Sequence, residues 1–423
     1  MALTRVFMGK VLKQAKCNQL FCNQTMVSLA LLRRNAALQL IILMGVVSLL
    51  GDIVYEGGRS VTGPFLLSLG ASAFMVALVS GVGEFLGYTS RIVSGFFSDR
   101  ARSYWAFVTT GYLMIGAIPL LVFANSWEVA ALLLVLERLG KGIRSPAKDT
   151  ILSYAAHNIG RGWGFGIHEA MDQIGAVAGP LIFAASIAVY GGYKTGFALL
   201  VVPFLLLVAT LAIAFRKVPD PESFEGSSSR MVIKEQHRIP RLLLPYGTFT
   251  AFTMAGFAVF PLIAFHYKAA SIVPEAQIPV FYAIAMAADA LFALLIGRFY
   301  DRRGMGGLLV IPLANIFVVL LAFSSSYSLA LAGAVLWGIS MGGQETILRA
   351  ALADLTSVKR RGTVYGIFNT LYGAAWFTGS LVLGWLYEMD IRILVGYSVL
   401  MQVTALGAFV WLTNTLKHET ETH

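Results

Sequence analysis

Long apolar stretches follow one another along nearly the whole chain, and short polar connections separate them. A helix needs about 20 mostly apolar residues to cross the hydrocarbon core of a bilayer. Because the connections between the apolar stretches are short, no room is left for a large soluble domain. The low share of charged residues, 13% of the chain, agrees with this. The sequence therefore predicts an all-α membrane protein with spans at 36–66, 72–95, 105–124, 128–154, 163–189, 193–215, 242–266, 277–297, 307–325, 328–353, 363–387 and 391–415.

Basic residues accumulate in alternate connections between these spans. One side of the predicted bundle carries the basic N-terminal tail, the connection after span six and the C-terminus, whereas the loops of the other side contain only Lys194, Lys268 and Arg392. Lysine and arginine favour the cytoplasmic side of a membrane. We therefore predict that both termini are cytoplasmic, and we attribute the net charge of +10 to this orientation rather than to a nucleic-acid partner.

The longest polar break lies between spans six and seven. Residues 216–241 are rich in serine and charge and contain three prolines, a composition typical of a flexible linker. The predicted organisation is a basic cytoplasmic tail, a six-helix bundle, a cytoplasmic linker, a second six-helix bundle and a short cytoplasmic tail, at 1–35, 36–215, 216–241, 242–415 and 416–423.

The two predicted bundles repeat each other in sequence. The segment RGWGFGIHEAMDQIGAVAGPL at 161–181 aligns with RGTVYGIFNTLYGAAWFTGSL at 361–381, and GFFSDRAR at 95–102 aligns with GRFYDRRG at 297–304. The separations are 200 and 202 residues, so one duplication accounts for both matches. Duplicated bundles are typical of secondary transporters, which place the substrate site between the halves.

Several short motifs resemble those of the major facilitator superfamily, and the likeness covers nearly everything from span one onward. The loops after spans two and eight resemble the gating motif of that superfamily. The residues that carry this resemblance are Gly95, Asp99, Arg100, Arg102, Gly297, Asp301 and Arg302. Span five contains a G-x-x-x-G-P pattern, formed by Gly175, Gly179 and Pro180. In that superfamily this pattern is associated with proton-coupled exporters, although Phe183 and Ala184 stand where the exporter pattern closes with a glycine pair.

This resemblance implies a fold of twelve transmembrane helices in two pseudo-symmetric six-helix bundles. It also implies alternating access by a monomer in a bacterial-type inner (plasma) membrane. The stretch from Glu137 to Asp149 and the repeat segment at 161–180 further resemble a broad prokaryotic subgroup of uncharacterised permeases. None of these motifs is specific for a substrate.

Charges in the middle of a span are costly and need a reason. Span one carries Asp52, Glu56 and Arg59 on one helical stripe, and span four carries a second stripe at comparable depth. The predicted proton-coupling residues are Asp52, Glu56, Glu137, Arg138, Glu169 and Asp172, and the predicted further cavity charges are Arg59, Arg144 and His168. The alternative is a static ion-pair network that holds the first bundle together, with Lys148 as an anchor at the membrane interface.

Span five contains a pattern with two readings. The letters HEAMD, from His168 to Asp172, are similar to a zinc-protease signature, but no third ligand is evident and the repeated segment IFNTL lacks these polar residues. We therefore predict a proton relay or a hydrogen-bond anchor and no metal site.

The second bundle contains fewer charges within its spans. Its polar and aromatic residues suit a binding surface of mixed polarity, and the predicted substrate-binding residues are Gln344, Asn369, Tyr372 and Trp376. The alternative is that these residues face lipid or only pack against neighbours.

The predicted function is secondary active export of a small organic or amphipathic compound, coupled to protons. Import on the same fold is the alternative, and a non-transporting membrane sensor is a remote one. The chain has no nucleotide-binding loop and no complete enzymatic constellation, so we expect no enzyme activity and no cofactor, with the proton gradient as the energy source. Expected partners are the substrate, protons and the lipid bilayer.

Overall fold

The computed structural model describes residues 35–157, 159–224, 240–356 and 361–421, and nearly all of them are helical. We number the main helical segments α1–α12. The first half contains α1 (Asn35–Ser60, continued by Thr62–Ser68), α2 (Ala73–Ala101), α3 (Tyr104–Phe123), α4 (Trp127–Ala156), α5 (Arg161–Tyr190) and α6 (Tyr193–Lys217).

The second half contains α7 (Pro240–Ala255, continued by Phe260–Ala269), α8 (Ile278–Arg303), α9 (Val310–Ala322), α10 (Tyr327–Gly343, continued to Leu355), α11 (Arg361–Met389) and α12 (Ile391–Glu421). The predicted all-α class is confirmed. The predicted N-terminal tail, the central part of the linker and the last two residues lie outside the described ranges.

Membrane-spanning character follows from length and composition. In the described part of the chain, eight helical stretches are long and apolar enough to cross a bilayer, and one of them, Glu275–Ala322, contains both α8 and α9. The 30-residue α4 is also long enough, but charged side chains recur along it and lower its hydropathy. Leucines such as Leu205 and Leu294 are exposed on the outer surface, as suits contact with lipid tails.

Three helices are irregular where the sequence analysis predicted continuous spans. α1 is interrupted at Val61, and α7 is interrupted at 256–259 before it resumes with Pro261 in its first turn. Proline suits this position because its missing N–H would have no intrahelical partner there. α10 passes through a turn of π-helix at Gln344–Leu348.

Several helices extend beyond their predicted ends; α2 runs to Ala101 instead of 95 and α8 runs to Arg303 instead of 297. α6 continues to Lys217 instead of ending at 215, and α12 continues to Glu421 instead of ending at 415. Arg216 and Lys217 occupy the last turn of α6, where basic side chains interact favourably with the helix dipole. Charge alone was therefore a poor marker of where these helices end.

The internal repeat corresponds to close helix contacts that occur in both halves. A Cβ atom at Gly179 of α5 would lie 2.3 Å from the carbonyl oxygen of Ile53 in α1. A Cβ atom at Gly379 of α11 would lie 2.3 Å from the carbonyl oxygen of Ala255 in α7. Any side chain would push these helices apart, so both halves need glycine at the equivalent place.

The halves pack against each other along α2 with α11 and along α5 with α8, and they also meet at one end of the bundle, which we call the sealed end and which carries the connections after α1, α3, α5 and α7. A Cβ atom at Gly63 would lie 1.9 Å from the carbonyl oxygen of Pro261 in α7. The backbone N–H of Phe74 donates to the Glu388 carboxylate of α11 at 2.8 Å. We call the opposite end, with the connections after α2 and α4, the open end.

A lysine cluster adds to the seal. The Lys268 ammonium lies 3.1 Å from the Glu275 carboxylate and donates to the carbonyl oxygen of Pro64 at 3.3 Å and to the hydroxyl of Tyr193 at 3.1 Å. The Tyr193 hydroxyl in turn donates to Glu275 at 2.9 Å. Pro64 and Tyr193 belong to the first half and the other two to the second, so the cluster joins the halves.

Candidate functional site

A cavity of about 1060 Å³ lies between the two halves. Its wall is formed by α1, α2, α4 and α5 on one side and by α8, α10 and α11 on the other. The wall includes Trp376 at mid-bundle and extends to Leu152, Phe165 and Tyr365, in the terminal turns of their helices. The cavity is therefore reached from the open end, and its volume suits a small organic molecule.

An ion-pair network lies at the inner end of this cavity. Glu84 of α2 lies 2.9 Å from Arg59 of α1 and 3.7 Å from Arg138 of α4. Arg138 also lies 3.5 Å from Glu137, and Arg59 lies 3.7 Å from Glu56. The predicted charged stripes of spans one and four thus meet, and α2 contributes a carboxylate that joins them.

Glu84 was not among the site residues predicted from the sequence. The signal was present, because Glu84 is an isolated carboxylate in the middle of an apolar span, and such a residue is costly without a partner. It forms no charged stripe within its own helix, so a search for stripes passes over it.

Asp52 and Glu56 both line the cavity, but their surroundings differ. The Tyr282 hydroxyl of α8 donates to Glu56, which ties α1 to the second half of the chain. Asp52 is 8% exposed, and no hydrogen bond or ion pair joins its carboxylate to another described side chain. Asp52 is therefore the span-one carboxylate that lines the cavity without a bond to another described side chain.

The polar residues of α5 line the same wall. The Asp172 carboxylate lies 3.9 Å from the Lys148 ammonium and 3.4 Å from Nδ1 of His168. Lys148 therefore has an ion-pair partner on the cavity wall. Glu169 lines the cavity closer to the open end and accepts a hydrogen bond from Gln173 at 3.2 Å.

The helix-five motif holds α5 against the charged helix α1. A Cβ atom at Gly175 would lie 2.4 Å from the carbonyl oxygen of Leu49 and 2.8 Å from the Cβ of Asp52. Pro180 lies within the helix directly after Gly179. These glycines allow α5 to approach α1 closely, and this contact sets the position of Asp52 beside α5.

Three cations of α4 surround one tyrosine ring of α1. The centroid of the Tyr55 ring lies 4.6 Å from Nζ of Lys141, and 5.6 and 5.8 Å from the guanidinium carbons of Arg144 and Arg138. Lys141 also donates to the Tyr55 hydroxyl at 3.2 Å. Of these three cations, Lys141 and Arg144 line the cavity, so α4 presents a positive surface to it.

The opposite wall has a different chemistry at equivalent positions. At the repeat separation of 200, Lys141 of α4 corresponds to Met341 of α10, and Glu137 corresponds to Trp337. Met341 and Trp337 both line the cavity. The duplicated halves therefore form one charged wall and one mainly apolar wall.

The four predicted substrate-binding residues fall into two groups. Trp376 lines the cavity, whereas Gln344, Asn369 and Tyr372 are not among its lining residues. The Tyr372 hydroxyl donates to the Gln344 side chain at 3.0 Å, and Gln344 donates to Ser340 at 3.0 Å. Gln344 and Tyr372 therefore link α10 to α11 in this conformation.

The glycines of the predicted gating motif contact neighbouring helices in the same way in both halves. A Cβ atom at Gly95 would lie 3.5 Å from Pro146 of α4, and one at Gly297 would lie 3.4 Å from Thr346 of α10. The repeated motif therefore marks where α2 meets α4 and where α8 meets α10.

The charges of that motif are exposed at the open end, as are Asp301 and Arg302 in the repeat. Arg102 lies 4.0 Å from Glu222, and neither Asp99 nor Arg100 has an ion-pair partner within 4.0 Å in the described ranges. Asp99 and Arg100 therefore hold no helix ends together through ion pairs among the described residues in this conformation.

We expect Asp99→Asn to be made in normal amounts but to transport poorly, because the lost charge would destabilise the conformation in which the open end closes. Uptake by reconstituted protein measures the effect. The matched control is Glu128→Gln, which removes an exposed carboxylate at the sealed end. Normal transport by Asp99→Asn would indicate that the motif is a solvent-exposed loop without a role in gating.

A membrane-embedded helical bundle with duplicated halves around a cavity that is open at one end defines a multi-pass membrane transporter. The model of the Major Facilitator Superfamily matches residues 48–380 and 275–421. This chain belongs to that superfamily, and it is a transporter rather than an enzyme.

Similar proteins agree with this assignment. An uncharacterized protein of Mycobacterium tuberculosis is 43% identical over 376 residues, which cover 88% of this chain and 92% of that protein. An uncharacterized MFS-type transporter of Methanocaldococcus jannaschii is 29% identical, over 82% of this chain and 88% of that protein.

Solved structures share the fold at low sequence identity. The nucleoside transporter NupG superposes with a TM-score of 0.68 at 16% identity, over 88% of this chain and 99% of that one. A peptide transporter POT in complex with sulfate superposes with a TM-score of 0.71 at 14% identity, over 90% and 94%. The predicted fold is therefore confirmed.

Proposed function

We propose that this chain is a proton-coupled exporter of a small amphipathic organic compound, working as a monomer in a bacterial-type inner membrane with both termini in the cytoplasm. The observation that carries the proposal is Asp52, a buried carboxylate without a side-chain partner on the wall of a cavity that is open at one end. A carboxylate whose exposure changes with conformation can carry a proton from one side of the membrane to the other.

The two ends of the bundle supply the alternation that this mechanism needs. In the proposed orientation the open end faces the cytoplasm, because the basic connections lie there. The seal at the other end consists of close backbone contacts and a few polar bonds, such as those of Lys268. Rocking of the two six-helix halves would break this seal and bring the open end together.

The remaining carboxylates fit supporting roles. Asp172 shares the cavity wall with Asp52 and is paired with Lys148, so it can take part in a relay. Glu56 and Glu137 are bound within the network and serve to position Arg59 and Arg138. Export as the direction rests on the G-x-x-x-G-P pattern of α5, which ends at Pro180.

Everted membrane vesicles test the proposal. Vesicles that contain the protein are acidified inside by respiration, and amphipathic compounds are added outside, where they meet the cytoplasmic side. Export in exchange for protons predicts that a substrate raises the internal pH, and vesicles from cells without the protein should show no such change. A substrate that lowers the internal pH of right-side-out vesicles, because it enters together with protons, would indicate import, and the absence of any proton movement with transported compounds would exclude proton coupling.

A further inference from the structure

One buried cation of the cavity wall lacks an anionic partner. Arg144 of α4 is 5% exposed and lines the cavity, and its Nη1 has no hydrogen-bond partner in the described part of the chain. No carboxylate lies within 4.0 Å of it in those ranges, and its guanidinium carbon lies 4.9 Å from the Tyr112 ring centroid. A buried charge without a counter-ion is costly, so this group is prepared for an anion from outside the chain.

Two neighbouring cations, Arg138 and Lys148, have carboxylate partners, whereas a third, Lys141, resembles Arg144 in having none within direct contact among the described residues. Arg138 is held by Glu84 and Glu137, at 3.7 and 3.5 Å. Lys148 lies 3.9 Å from Asp172. Lys141 donates to the hydroxyl of Tyr55, which is neutral, and it lines the cavity one helical turn from Arg144. Arg144 and Lys141 therefore form a pair of cations that the protein does not neutralise by direct contact.

The wall across the cavity is suited to an apolar group. Met286, Trp337, Met341 and Trp376 line the cavity from α8, α10 and α11. Flexible methionines and flat indole rings adapt to different apolar shapes. A ligand that reaches both walls must therefore have an anionic end and an apolar body.

The charges of the second half fix which way such a ligand lies. Asp289 and Glu345 line the cavity from α8 and α10. The Glu345 carboxylate repels an anion from that side, and its charge also interacts with Arg349, the cavity-lining cation that those two helices contribute. The anionic end is directed toward α4.

We propose that the transported compound is an amphipathic organic anion, whose anionic group binds Arg144 and Lys141 while its apolar body lies against Met286, Trp337, Met341 and Trp376. This proposal rests on the proposed transport function and narrows its substrate class. Guanidinium and ammonium groups make charge-assisted hydrogen bonds to a carboxylate, and these bonds are stronger inside a partly dry cavity than at the surface.

Binding to the purified full-length protein tests the proposal without any transport step. The probes are three sets of compounds that share an apolar body (naphthyl, indolyl or decyl) and differ only in carrying a carboxylate, a neutral amide or an ammonium group. We expect the carboxylate of at least one set to bind about tenfold or more tightly than its amide and its ammonium analogue, as measured by calorimetry.

Variants locate the bound anion. Arg144→Gln and Lys141→Gln should each weaken carboxylate binding by about tenfold and leave amide binding unchanged, while Arg144→Lys should restore part of the loss. The control is Arg298→Gln, which removes an exposed arginine of α8 outside the cavity wall and should bind like the wild type. Size-exclusion profiles show which variants are folded, and Lys141→Gln carries the test if Arg144→Gln is not.

Several results would overturn this inference. Equal binding of carboxylates and amides, preference for the ammonium analogues, or unchanged carboxylate binding by both glutamine variants would each contradict it. Proton-coupled transport of a cation by a protein that binds no anion would leave the proposed function intact and reject the substrate class. Anion binding without any proton movement would support the substrate class and reject the proposed proton coupling.

Discussion

Replacing Asp52 with asparagine is expected to abolish transport driven by a pH gradient. The asparagine amide cannot exchange a proton, and Asp52 is the α1 carboxylate that no other described side chain binds. Exchange of labelled for unlabelled substrate across the membrane should persist, because that step moves no net proton. Both rates are measured in proteoliposomes with and without an imposed gradient.

Glu56→Gln is the matched comparison on the same helix. Glu56 is bound by Arg59 and by the Tyr282 hydroxyl, so its loss should disturb the link between α1 and α8 and slow exchange as well as gradient-driven transport. If Asp52→Asn keeps full gradient-driven transport, Asp52 is structural, and Asp172 and Glu169 become the candidates for coupling.

Gly63→Leu is expected to open the sealed end and to stop transport. A Cβ atom at this position would already lie 1.9 Å from the carbonyl oxygen of Pro261 and 2.8 Å from the backbone nitrogen of Phe265, so α1 and α7 cannot stay in contact. Overpacking of this kind costs about 1–3 kcal/mol, enough to change the ratio of two conformations by roughly tenfold or more. The expected conformation is one that cannot close at this end.

A cysteine at Ser80 reports that opening. Ser80 lines a small pocket of about 40 Å³ beside Pro261, between the cavity and the sealed end. With Cys17 and Cys22 replaced by serine, Ser80→Cys should react severalfold faster with a membrane-impermeant maleimide, added from the sealed side, when Gly63→Leu is present. Gly396→Leu is the control, because a Cβ atom there meets open space. Unchanged labelling in a folded Gly63→Leu protein would show that this contact does not form the seal.

Much of the fold could be predicted because its causes are local or periodic. Each apolar stretch indicates a helix by itself, and the duplication shows in matched glycines such as Gly179 and Gly379, which meet Ile53 and Ala255 at equivalent distances. The interruptions could not be predicted in the same way. The break at Val61 lies within an apolar stretch and is followed by contact with the other half, which local sequence does not reveal.

The site was predicted unevenly for a similar reason. Charges arranged on one stripe, such as Asp52 with Glu56, identified the helices that line the cavity. The isolated Glu84 left no pattern, and the bond between Glu56 and Tyr282 joins residues 226 positions apart in the two halves. Gln344 was predicted to bind substrate, but in this conformation it is bonded to Ser340 and Tyr372 away from the cavity lining, through contacts that its own sequence pattern does not reveal.

The unequal walls of the cavity also bear on how such proteins diversify. Exchanges among Met286, Met341 and Trp376 would alter which molecular shapes fit, while Asp52, Asp172 and their cationic neighbours on the facing wall stay untouched. Gene duplication accounts for the likeness of the halves, and their later divergence left most of the charges on one wall of the cavity and the large apolar side chains on the other. A change confined to one half of the gene can therefore alter the apolar contacts of the cavity while the charged network of the other half stays in place.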